Sequence, residues 1–103
     1  MKLLQVTRAE RPLWLAALIG EDVYAYVPNT QRFHRNDGLR DDYFMERELE
    51  YDEIGVVDAR RLIETELAAL DEERMADALR DWRADPEPLE PQIVFAMANA
   101  DLN

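Results

Sequence analysis

Between Tyr24 and Asn36 the chain sets aromatic rings beside cationic and amide groups: Tyr24, Tyr26, Asn29, Arg32, His34, Arg35 and Asn36. Guanidinium and imidazole donors next to aromatic faces suit an anion or a planar group. If Arg32-Phe33-His34-Arg35 folds back on the strand that holds the tyrosines, Tyr24 and Tyr26 are expected to lie near Arg32 and His34 on one ligand-binding sheet face, with Arg35 as a further ligand-binding residue. The bland alternative is an ordinary sheet surface with its lone His in a structural hydrogen bond.

A second set is acidic. Asp41, Asp42, Glu46, Glu48, Glu50 and Asp52 fall within twelve positions. Carboxylates this close could act as an acid and base pair, and Glu48, Glu50 and Asp52 could offer oxygens to calcium or magnesium. With 23 acids in 103 residues, however, close pairs arise by chance, and nothing matches an EF-hand loop. The expectation is therefore no metal and no cofactor, with these six acids as a partner-binding surface.

Much other chemistry is excluded by missing atoms. There is no Ser and no Cys, which removes serine and cysteine nucleophiles, disulfides and zinc ribbons. Lys2 is the one lysine and His34 the one histidine, so neither a phosphate-loop lysine in its usual setting nor a two-His metal motif exists. Gly20, Gly38 and Gly55 stand alone, which rules out a glycine-rich phosphate cradle.

The elements that must position these groups begin with an apolar hairpin. Pro12 to Ile19 and Asp22 to Val27 flank Gly20-Glu21, and Gly in the first central position suits a II′ turn. That turn pairs Ile19 with Asp22, Leu18 with Val23 and Ala16 with Ala25. Period-two alternation then separates Trp14, Ala16, Leu18, Val23, Ala25 and Val27 from Leu13, Leu15, Ala17, Tyr24 and Tyr26. Both faces are apolar, so both need cover.

Leu3 to Thr7 reads as a strand before the hairpin, and Arg32 to Arg35 as a third arm with Phe33 inward and Arg32 and His34 outward. Asn36 can cap a short helix through Leu39, Arg40, Tyr43 and Phe44. Glu48-Leu-Glu-Tyr-Asp52 alternates as a strand with an acidic outer face. Two helices follow, with Asp58 and Asp71 as N-caps; the first carries Ala59, Leu62, Ile63, Leu67 and Leu70, the second Met75, Ala78, Leu79 and Trp82. The second should stop before Pro86. Pro86 to Pro91 reads as an extended connector, and Ile93 to Ala98 as a short helix begun by Pro91.

The expected fold is α+β: a small antiparallel sheet of hairpins covered on one face by two to three helices, with residues 1–85 as the domain and 86–103 as connector and apolar tail. The longest apolar run, Leu13 to Ile19, is too short to span a bilayer, and no signal peptide is evident, so a cytoplasmic protein is expected. Arg in preference to Lys, together with abundant Ala, suggests a bacterial, GC-rich source.

Charge is uneven along the chain. Up to Arg35 five basic residues outnumber three acids; beyond it seven arginines face twenty acids, and the total is −11. Such a surface repels nucleic acid and anionic membrane and favours a basic protein, although acidity also serves solubility alone. The leading expectation is a non-catalytic regulatory module of antitoxin, inhibitor or nucleic-acid-mimic type. The alternatives are a ligand or anion binder, or an enzyme, built on the Tyr24 face, and a self-associating structural protein. The apolar surplus of Leu13, Leu15, Ala17, Tyr24, Tyr26 and Ile93 to Met97 also suggests a homodimer.

Overall fold

The computed structural model describes residues 1–101. Five antiparallel strands form one sheet: β1 Lys2–Arg8, β2 Arg11–Ile19, β3 Asp22–Val27, β4 Arg32–Arg35 and β5 Glu50–Ile54, in the order β4-β3-β2-β1-β5. With the helices this is the expected α+β class.

The central hairpin has the register its sequence dictates, pairing Ile19 with Asp22, Leu18 with Val23 and Ala16 with Ala25. Gly20 takes the left-handed φ of +64° that a II′ turn asks of its first central residue. The β1–β2 turn reaches the same topology at greater cost: Ala9 and Glu10 both have positive φ, 49° and 67°, without the Gly or Asn that such a turn prefers.

Alternation along β1 to β4 divides the core in two. On one face Leu3, Leu15, Ala17, Tyr26 and Phe33 pack against Ala59, Leu62, Val94, Phe95 and Ala98. These come from α2, Val56–Arg61, which continues as a π-helical turn over Leu62–Glu66, and from α4, Pro91–Asp101. On the other face Leu4, Val6, Ala16, Val23 and Ala25 pack against Leu39 of α1, Asp37–Asp41, which also widens into a π-helical turn, Asp42–Glu46. The remaining helix, α3 Ala76–Arg83, sets Trp82 edge-on to Trp14 at 6.1 Å. Helices thus lie on both faces rather than on one as expected, because both faces are apolar, and the tail supplies one of the covers. The face expected to drive a homodimer is closed within the chain, leaving Leu13 and Ile93 half-open at its margin.

Capping differs in detail from the expectation. Asn36 does cap α1, its Oδ1 accepting from the Leu39 amide at 3.0 Å. Asp58 does not cap α2, because the helix begins three residues earlier, after Gly55; Asp58 instead meets Arg61 at 3.0 Å. Asp71 accepts from the amides of Glu73 and Arg74, capping a single turn that precedes α3 rather than α3 itself. Leu67 ends the first stripe in extended backbone, so Leu70 lies outside the helix, where its amide and carbonyl pair with the side chain of Asn29.

Candidate protein-binding surface

The first expected site is taken apart by strand register. The four-residue loop from Pro28 to Gln31 closes on Val27↔Arg32, so Tyr26 lies opposite Phe33 and Tyr24 opposite Arg35. Arg32 and His34 therefore share the face of Val27 and Ala25, away from the tyrosines. His34, expected outward, is 2% exposed, and Tyr26 is buried among Phe33 and its neighbours. Arg32 pairs with Glu90 at 2.8 Å, and Arg35 with Asp22 and Asp37 at 3.5 and 3.1 Å. Of the five residues, Tyr24, Tyr26 and Arg35 share one sheet face, and Arg32 and His34 lie on the other.

His34 instead joins a buried polar chain. Its Nε2 lies 2.7 Å from the Thr30 hydroxyl and its Nδ1 2.9 Å from Asp85 Oδ2, while its ring stacks on Trp82 at 6.3 Å. Hydroxyl, imidazole and carboxylate stand in the order used by hydrolases, but the imidazole is sealed and Thr30 Oγ1 also lies 3.2 Å from the Val27 carbonyl. The chain fastens the β3–β4 loop to the end of α3. Burial alone would raise the Asp85 carboxyl; the Glu87 amide and His34 outweigh it and hold the group below the usual carboxylate range.

The second expected site divides differently. Asp41, Glu46, Glu48, Glu50 and Asp52 are exposed, whereas Asp42 is buried. Its carboxylate accepts from the amides of Glu48 and Leu49 at 3.0 and 3.2 Å and from the Tyr51 hydroxyl at 2.7 Å, fixing the link between α1 and β5. Asp42 is thus a structural acid, absent from the surface to which it was assigned. The Tyr51 hydrogen bond holds its carboxyl low, against burial and with help from the two amides and Arg47. Tyr51 is pushed above the ordinary phenol range, by burial first and then by Asp42. Arg47, with left-handed φ, lays its guanidinium over Tyr43 at 4.5 Å and Tyr51 at 5.5 Å.

Oxygens of Asp42, Glu46 and Glu48 come within 4.8 Å of one another, a different triplet from Glu48, Glu50 and Asp52. A hard cation there would compete for a carboxylate already engaged through both oxygens.

Sequence patterning missed the apolar part of this region. The short helix through Leu39, Arg40, Tyr43 and Phe44 carries no reading of which face is open; Phe44 is 51% exposed and Met45 is 72% exposed. Helical phase accounts for this: with Leu39 and Tyr43 inward, the two residues after Tyr43 fall on the opposite side, and the turn closes through a π-type bond from the Arg47 amide to the Asp42 carbonyl at 2.6 Å. Phe44 and Met45 line a groove of about 270 Å³ with Glu21, Arg40 and Asp41. Arg40 donates from Nε to the Glu21 carbonyl at 2.6 Å and lays its guanidinium 6.0 Å from the Phe44 ring centre, while Tyr43 meets that ring edge-on at 5.1 Å. Two adjacent large apolar side chains are thereby presented among exposed acids, the arrangement of an apolar anchor with a polar rim.

No family model, curated protein or solved structure matches the chain. No helix among the described residues is long and apolar enough to cross a membrane.

Proposed function

We propose that this protein is a non-catalytic binding module of regulatory or inhibitory type, whose partner is a protein with a basic surface. The observation that carries this reading is the exposure of Phe44 and Met45 on one helical turn, in a groove that Glu21 and Asp41 also line. A soluble chain gains nothing from leaving an aromatic ring and a thioether side by side in water, and such side chains are the usual anchors of protein interfaces. The acids supply long-range attraction and reject anionic partners, while the apolar pair supplies short-range burial.

The test places a photo-crosslinking amino acid at position 45 in the native host. The expected adduct is with a basic protein; it should weaken as salt shortens the reach of the acids to a few ångströms, and disappear when Phe44→Ala is added. Adducts identical to those from a crosslinker at exposed Arg74, or with acidic proteins alone, would overturn the reading.

A further inference from the structure

The two edges of the sheet are finished differently. At β4, Phe33 exchanges both backbone hydrogen bonds with Leu89, at 2.8 and 2.9 Å, so the proline-rich connector closes that edge. At β5, Glu50 to Ile54 pair with β1 on one side, and among the described residues no backbone group pairs with the other. In an antiparallel strand alternate residues aim N–H and C=O outward, so about half of these five present an unused donor and acceptor.

Proteins usually blunt such an edge with lysine, proline or a bulge. β5 has no lysine and no proline, and the one irregularity nearby, between Val6 and Thr7, belongs to the β1–β2 pairing on the far side. It carries acids instead. Register places Glu50 and Asp52 with Thr7 and Gln5 on one face, and Glu53 with Tyr51 on the other. All three acids are exposed. Two copies of this edge would set like charges opposite one another, which disfavours self-pairing, whereas a strand with basic residues at alternate positions would meet Glu50 and Asp52 directly.

We infer that the outer edge of β5 receives an extended basic segment of the partner protein as an added strand. Backbone hydrogen bonds supply the ladder, and basic side chains at every second position supply the choice of partner. The inference rests on the reading that the acidic surface binds a basic protein, and it specifies how part of that partner is held.

The probe is a short synthetic peptide alternating lysine and valine, compared with the same peptide N-methylated at alternate residues so that one edge loses its donors. Fluorescence anisotropy measures binding, and amide hydrogen exchange locates it. The expected results are at least about tenfold slower exchange of alternate amides in Glu50 to Ile54, and at least about tenfold weaker binding on N-methylation, since several ladder bonds are lost together. Glu50→Lys with Asp52→Lys should weaken the unmethylated peptide by a similar factor. Equal affinity for the two peptides, or protection confined to α1, overturns strand addition and leaves the acidic reading standing. No binding at low salt, or binding indifferent to the charge reversal, overturns both.

Discussion

Replacing Asp85 by Ala tests whether a single carboxylate holds the sealed imidazole in place. The substitution removes the acceptor 2.9 Å from His34 Nδ1 and the acceptor of the Glu87 amide, also at 2.9 Å. Glu87 is exposed and its amide can turn to water, so that loss costs little. His34 is buried, and its Nδ1 would face a methyl group; an orphaned buried polar group costs about 1–3 kcal/mol. At roughly 4–8 °C per kcal/mol in a domain of this size, a loss of about 2 kcal/mol lowers Tm by roughly 8–16 °C. Asp81→Ala on the exposed side of α3 should cost less than about 0.5 kcal/mol. The pH dependence has a definite sign. The folded carboxyl titrates below its unfolded value of about 3.9, so the stabilisation is complete above that pH and is lost as acid protonates the folded form. Far-UV circular dichroism melts should show the full gap between wild type and Asp85→Ala at neutral pH, shrinking below about pH 4. Coincident melts of the Asp85 and Asp81 variants, or a gap unchanged in acid, would refute the reasoning.

Two further outcomes follow from the backbone and the tail. Changing Ala9→Asn and Glu10→Gly supplies the residues that tolerate positive φ at both central positions of the β1–β2 turn, and should stabilise by about 1 kcal/mol, visible as a Tm higher by several degrees. An unchanged melt would mean that the turn is unstrained. Phe95→Ala should cost about 3–5 kcal/mol, because the ring meets Phe33 edge-on at 6.4 Å and lies under the Arg60 guanidinium at 5.2 Å, whereas half-exposed Ile93→Ala should change little. Equal denaturant midpoints for the two variants would show that α4 is not docked as described.

What could be read from the sequence was local. Gly20 between two alternating runs determines turn, register and faces together, and Asn36 announces the start of α1, because each signal acts over a few residues. The orientation of His34 depends on the parity of the Pro28–Gln31 loop. A loop one residue longer or shorter would put the ring opposite Tyr26 or Tyr24, and a turn-prone Pro-Asn-Thr-Gln segment does not fix its own length. Its partner Asp85 lies 51 residues away, beyond any periodicity. Asp42 looks like its acidic neighbours and differs only in helical phase, so nothing in its spacing marked it as the buried one. Asp58 resembled a cap because it precedes an apolar stripe, but Gly55, with extended φ and ψ, lets the helix start before it.

The π-helical turn after α1 links the structural acid to the exposed apolar pair. A five-residue α-helix has too few internal bonds to persist alone, so packing decides where it stops. Leu39 and Tyr43, one turn apart, sit against the sheet. Widening the ladder by one residue lets Arg47 turn back with left-handed φ, and Asp42 then captures the amides of Glu48 and Leu49 that start the approach to β5. Phe44 and Met45, the two residues after inward Tyr43, fall on the open side of the same turn. The turn that presents them is held by a carboxylate with three hydrogen bonds and by the edge-to-face pair of Tyr43 and Tyr51 with Arg47 over both rings, and is not a loose loop. A partner that docks on a turn held in this way orders less chain on binding, so more of the buried apolar area is retained as affinity.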